Sequence, residues 1–313
     1  MSDAFVFPGQ GSQTVGMGRE LAQAFACARE VFEEVDEALG QNLSRLMFEG
    51  PEGDLTLTEN AQPALMAMSM AVVRVLEREG KVDVAERARF VAGHSLGEYS
   101  ALAAAGAIPL AVTARLLRTR GQAMQRAVPV GEGAMAALVG ADLALAEAIA
   151  REAAQGEVCE AANDNAPDQV VISGARAAIE RAIAIAKDKG VKRALLLPVS
   201  APFHSSLMAP AAKAMDEALG TAPIATPNVA VIANVTAAPV TEPGEIRRLL
   251  VAQVTGRVRW RESMLAMKEA GVSRVIELGA GKVLAGLAKR IDRDFAAVSI
   301  GGPADIEAFL KTI

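Results

Sequence analysis

Two apolar rhythms alternate along this chain. Short apolar runs of strand length are separated by longer segments whose apolar positions recur at the helical period. "AFVF" (Ala4 to Phe7), "RFVAG" up to Gly93, "VAVIANV", "RVIELG" and "FAAVSIG" belong to the first kind. Helical patterns fill the spaces: through Leu39, over Asn60 to Glu79 with Pro63 near its start, and in two segments up to about Val128. Others follow Pro210 and cover "IRRLLVAQV", "RESMLAMKEAG" and "GKVLAGLAKRI". Strands spaced by helices predict a parallel sheet with crossover helices.

The rhythm changes after "PVGEGAM". "AMAALVG", "EVCEAA", "QVVISG" and "VKRALLLPV" read as strands, and "ADLALAEAIAREAAQ" and "ARAAIERAIAIAKDKG" as helices. The polar run "NDNAPD" reads as the loop between the second and third strands. Strand-helix-strand-strand-helix-strand is the split βαβ order of ferredoxin-like units. Residues 129–199 are therefore expected to form a small inserted subdomain, and 1–128 with 200–313 a large discontinuous α/β domain. Pro129, Gly131, Gly133, Pro198 and Pro202 punctuate the expected boundaries.

Composition narrows the function. The chain has 313 residues, 51% hydrophobic but only 4% aromatic, so its core is built from aliphatic side chains, as helices packed on a parallel sheet require. Net charge is −5 with both signs scattered; no basic stripe points to nucleic acid or a membrane surface. Cys27 and Cys159 lack metal or redox spacing, and two histidines are too few for the usual zinc patterns. "MSDAFVFPGQ" lacks a signal peptide's basic start and apolar stretch. A cytoplasmic enzyme or binding protein is expected.

Gly93-His94-Ser95-Leu96-Gly97 matches G-x-S-x-G between a predicted strand and a predicted helix. In such an elbow the glycines remove side chains that would clash, and the serine hydroxyl stands at the sheet end beside a helix N-terminus. The alternative is an ordinary helix-capping serine. A serine nucleophile needs a base. His94 is its immediate neighbour and diverges from it, which leaves His204 in "PVSAPFHSSLM", either a general base or a solvated loop histidine. Oxyanion donors are expected from the backbone N–H of Leu96 and of Gln10, the latter between two glycines in "FPGQGSQ"; the alternative for that loop is a plain turn.

In "LAVTARLLRTRGQAMQRAV", Arg120 falls on the apolar stripe of a predicted helix, while Arg115, Arg118 and Arg126 point away and read as solvated. A buried guanidinium stays charged and needs an acceptor, either a core Asp or Glu or a ligand anion. Near an acylated serine it would suit an acyl group ending in a free carboxylate, gripped by two parallel hydrogen bonds.

"FVFPGQGSQ", "AGHSLGEYSAL", "RTRGQAMQ", "VSAPFHSSLM", "VAQVTGRVRW" and "ELGAGKVL" together resemble the malonyl-CoA:acyl carrier protein transacylases and the acyltransferase domains of polyketide and fatty-acid synthases. The resemblance implies an α/β-hydrolase-like parallel-sheet core with a ferredoxin-like insert. It implies Ser95 as the acylated nucleophile, His204 as general base, Arg120 on the malonyl carboxylate, and Gln10 and Leu96 as the oxyanion hole. It implies that the backbone carbonyl of Gln253 steadies His204 in place of an acid, and that Phe203 takes part in selecting malonyl. The implied partners are malonyl-CoA and an acidic phosphopantetheinylated carrier protein, with no metal or other cofactor required and a monomer as the default state. The rivals are a serine thioesterase or hydrolase, a trans-acting polyketide acyltransferase, and a non-catalytic docking subunit. A standard hydrolase orders its triad Ser, acid, His with the histidine late; here three more predicted strands follow His204.

Overall fold

A computed structural model of the chain describes residues 2–312. Its ten strands are β1 Asp3–Phe7, β2 Ala88–Gly93, β3 Gly133–Val139, β4 Cys159–Ala166, β5 Gln169–Ala175, β6 Arg193–Leu196, β7 Val231–Ala233, β8 Ala238–Val240, β9 Arg274–Leu278 and β10 Ala296–Ile300. They form a six-stranded sheet in the order β10-β9-β1-β2-β7-β8 and a four-stranded sheet in the order β4-β5-β3-β6. The large sheet is parallel except for the β7–β8 hairpin.

β1 shows why the large sheet is central. All five of its residues are buried. Successive side chains point to opposite faces: Phe5 and Phe7 join a core with Leu65, Leu76 and Tyr99, while Ala4 and Val6 join another with Trp260, Met264 and Ile232. A strand covered on both faces must be apolar throughout, which is why "AFVF" reads as a continuous run.

The antiparallel sheet buries one face against the helices Leu143–Ala154 and Arg176–Asp188, through Ala136, Leu138 and Ile172 meeting Ile149, Ile179 and Ala182. Its other face, with Met135, Ala137 and Val171, belongs to the core around the large sheet. The strand and helix order is the one the sequence pattern predicts.

The polar run "NDNAPD" is the main correction. Asn163 to Ala166 continue β4 rather than looping, with two register irregularities against β5. Their polar groups are matched by residues far along the chain: the Asp164 N–H donates to the Val258 carbonyl at 2.9 Å. The Arg261 guanidinium donates to the buried Asp164 carboxylate at 3.0 Å. Polarity alone signalled a loop, and tertiary partners overrode it. β7 is shorter than "VAVIANV" predicts and turns back into β8, whose Pro239 is tolerated at a sheet edge. A terminal helix, Pro303–Leu310, follows β10, beyond the last element that the sequence pattern predicts. Among the described residues no helix is long and apolar enough to cross a membrane.

Candidate active site

β2 ends at Gly93 and the helix Gly97–Ala104 begins four residues later. A Cβ on Gly93 would lie 1.9 Å from the Gly97 carbonyl, and one on Gly97 would lie 2.2 Å from the Phe7 oxygen. Only glycine permits this closeness. Ser95 sits in the left-handed region with φ +55°, a conformation that costs a non-glycine residue about 1–2 kcal/mol. Asn234, at the end of β7, holds it there. Its Oδ1 accepts the Ser95 N–H at 2.8 Å and its Nδ2 donates to the Gly93 carbonyl at 2.7 Å.

The serine Oγ lies 2.7 Å from His204 Nε2. His204 Nδ1 lies 2.9 Å from the Gln253 carbonyl and 3.2 Å from that of Gly256. Carbonyls only accept, so Nδ1 carries the hydrogen, Nε2 offers its lone pair, and the serine donates; this tautomer follows from the network. Both carbonyls close the helix Pro243–Thr255, whose C-terminal end favours positive charge. His204 is 3% exposed. Burial, then the nearby Arg120 charge, push its pKa down to about 3, so the ring is neutral and ready to accept a proton. His94 is placed elsewhere: its Nε2 lies 2.8 Å from Asn165 Oδ1 and its ring packs 5.6 Å from Trp260.

Arg120 is 1% exposed. Its Nη1 donates to Gln62 Oε1 at 2.8 Å, and its Nη2 to Gln253 Oε1 at 2.9 Å and to Ser95 Oγ at 3.1 Å. All three acceptors are neutral, and Nε is buried without a partner. Burial pushes the guanidinium below its ordinary pKa, yet arginine stays charged in proteins. Of the two fates left open by the sequence, pairing with a core acid is not the one observed. Arg115 and Arg126 are exposed as expected. Arg118 is not: it is half-buried, bonds Gln41, and burial lowers its pKa.

The Gln10 and Leu96 N–H groups have no acceptor among the described residues, and both residues line the same cleft of about 660 Å³ as Ser95, Arg120 and His204. The Gln10 side chain is held by Thr58, which in turn accepts from Gln62. Phe203, 8% exposed, lines the cleft beside His204. Met135 and Asn163 close it from the antiparallel sheet.

Six of the seven residues singled out from the sequence thus line one cleft, and the seventh, Gln253, lies buried behind it in contact with His204 and Arg120. Sequence reading missed Gln62, Glu98, Asn165 and Asn234. Gln62 sits beside two other buried polar residues, Thr58 and Asn60, at the start of its helix, so no apolar stripe sets it apart as one does Arg120. Asn234 ends a strand beside the elbow strand, a placement visible only once β7 is known to pair with β2.

An elbow serine backed by an imidazole at the end of a parallel sheet defines the class of α/β acyl-transferring and acyl-hydrolysing proteins. The family described as "Acyl transferase domain" matches residues 4–296. The malonyl CoA-acyl carrier protein transacylase of Bacillus subtilis (strain 168) is 45% identical over 311 residues, covering 99% of this chain and 96% of that protein. The crystal structure of acyl-carrier-protein-S-malonyltransferase from Bartonella henselae is 56% identical, with a TM-score of 0.97, covering 100% of this chain and 99% of that one. A structure of a type II PKS acyl-carrier protein in complex with its malonyl-transacylase matches with a TM-score of 0.96 at 41% identity, covering 100% of both chains. This chain belongs to the acyl transferase domain family.

Proposed function

We propose that the protein transfers the malonyl group from malonyl-CoA to the phosphopantetheine thiol of acyl carrier protein through a malonyl ester of Ser95, supplying extender units for fatty-acid synthesis. One observation carries the reading: a buried guanidinium, held only by neutral acceptors, lies 3.1 Å from the serine oxygen. Malonyl has a single methylene between its ester carbon and its carboxylate, so an acyl chain this short reaches Arg120 from Ser95. The relatives named as malonyl transferases support the same reading.

In the first half-reaction Ser95 Oγ attacks the thioester carbon as His204 Nε2 takes the hydroxyl proton. The oxyanion accepts from the Gln10 and Leu96 N–H groups. Collapse breaks the C–S bond, and His204 returns the proton to the departing coenzyme A sulfur. In the second half-reaction the carrier thiol gives its proton to His204 and attacks the ester, and Ser95 leaves with that proton. The imidazolium formed in each half is stabilised by the Gln253 and Gly256 carbonyls. Arg120 also tunes the base. It is one of the groups that depress the His204 pKa, and a substrate carboxylate paired with it cancels that effect, so the base strengthens when the correct acyl group docks.

The large domain in this proposal is 1–128 with 200–313 and the small one is 129–199, with the cleft between them. The protein acts in the cytoplasm as a monomer. The complex with a polyketide carrier at 41% identity supports transfer to that class of carrier as a second use. The test is to supply malonyl-CoA with and without holo carrier protein and follow acyl flux. Carrier-dependent coenzyme A release supports a transferase; equal release to water in both arms points to a hydrolase.

A further inference from the structure

Glu98 is a buried carboxylate that the reaction above does not use. It is 2% exposed and lies in the first turn of the helix that follows Ser95. Its Oε2 accepts the Asn234 backbone N–H at 2.9 Å and the Gln253 Nε2–H at 2.8 Å. The other end of the same Gln253 amide, Oε1, accepts from Arg120 at 2.9 Å. The amide therefore bridges an acid and a guanidinium, and the two ends cannot be exchanged. Turned over, it would aim N–H groups at Arg120 and an oxygen at Glu98 Oε2, which the Asn234 N–H already fixes as an acceptor. The Gln253 carbonyl meanwhile holds His204, and its Nε2 also donates to the Ser95 carbonyl at 3.0 Å.

We propose that Glu98 is the positioning residue for the carboxylate grip: by fixing the orientation of the Gln253 amide it keeps the Arg120 guanidinium aimed at the carboxylate of the incoming acyl chain. The inference rests on the malonyl-transfer reading of Arg120. Glu98 touches neither substrate nor reacting atoms. Its acceptor oxygen, rather than its charge, is the essential feature. The Asn234 backbone N–H cannot turn over, so it demands an oxygen from residue 98, and the Gln253 amide then shares that oxygen. The predicted consequence is selective. Loss of the acceptor lets the Gln253 amide flip and disturbs Arg120, which matters for malonyl and not for acetyl.

The experiment compares kcat/KM for malonyl-CoA and acetyl-CoA, with holo carrier protein as acceptor, in wild type, Glu98→Gln and Glu98→Leu. Glu98→Gln keeps an oxygen for both donors, so the malonyl-to-acetyl ratio is expected to stay within about 3-fold of wild type. Glu98→Leu is expected to lower the ratio at least about 10-fold, mostly through a higher KM for malonyl-CoA, an effect of the size of one lost charge-assisted hydrogen bond. On a Gln253→Leu background, which retains the backbone carbonyl that holds His204, Glu98→Leu is expected to change the ratio less than about 2-fold, as residues acting through one another do. Parallel loss of both acyl transfers in Glu98→Leu, or multiplying effects in the double variant, overturns the proposal. If Glu98→Leu does not fold, Glu98→Met is read in its place, being unbranched and adaptable. If neither folds while Glu98→Gln behaves as wild type, the residue is structural only and the proposal fails. Failure of the parent reading looks different: wild-type protein then acquires no malonyl group from malonyl-CoA at all.

Discussion

Replacing Arg120 by alanine separates carboxylate recognition from acyl chemistry. The guanidinium is fully buried, and its Nη2 contact to Ser95 Oγ is one that a docking carboxylate would displace. Two charge-assisted hydrogen bonds to that carboxylate contribute about 1.5–2 kcal/mol each. Their loss removes about 3–4 kcal/mol of transition-state stabilisation, or about two to three orders of magnitude in kcat/KM. Acetyl-CoA carries no carboxylate, and without the guanidinium beside it His204 is a stronger base, because Arg120 is a cause of its depressed pKa. Acetyl transfer by Arg120→Ala is therefore expected to hold or rise. Arg120→Lys keeps a charge but loses the planar fork, and should fall between the two. The assay is coenzyme A release from each thioester with holo carrier protein, with thermal unfolding as the check on fold. The side chain leaves the Gln62 and Gln253 amide oxygens without their donor, so some loss of stability is expected. A fall of equal size for malonyl and acetyl would refute the carboxylate role.

Three further outcomes follow from the same geometry. Because His204 is held down to about 3, kcat/KM for malonyl-CoA, which reports the free enzyme, should show no inflection near pH 6.5; a limb there contradicts the buried, neutral base. Burial raises Glu98 from 4.5 to about 7, so folding favours its protonated form, and this contribution is present below pH 4.5 and lost as pH rises through 7. Chemical denaturation should show Glu98→Gln gaining on wild type across that window by about 3 kcal/mol at roughly 1.36 kcal/mol per unit, and a pH-independent difference contradicts the assignment. Gly97→Ala would place a carbon 2.2 Å from the Phe7 oxygen; it should destabilise the protein by at least about 1–3 kcal/mol and abolish transfer, as thermal melts and the same assay would show.

Much of the site was legible in the sequence because its chemistry breaks local rules. A serine between glycines after a strand, an arginine on an apolar helix stripe and a histidine in a loop each stand out against composition and period. The supporting residues obey local rules and so stayed hidden. Asn163, Asp164 and Asn165 read as a loop because their partners, Val258, Arg261 and His94, lie far along the chain. Arg118 projects from the apolar stripe, yet the neighbouring segment around Gln41 covers it. The order of the large sheet was also beyond the pattern. β9 and β10 lie on one side of β1 while β2 and β7 lie on the other, a choice made by packing of helices on both faces. The cleft depends on that order, since Asn234 reaches the elbow only because β7 neighbours β2.

The most direct test of the whole account is the intact mass of the protein after brief exposure to malonyl-CoA, followed by addition of holo carrier protein. A gain of one malonyl group located on Ser95 is expected, absent in Ser95→Ala, and discharged to the carrier thiol in the second step. An unchanged mass with active wild-type protein, or a malonyl group on any other residue, would contradict it.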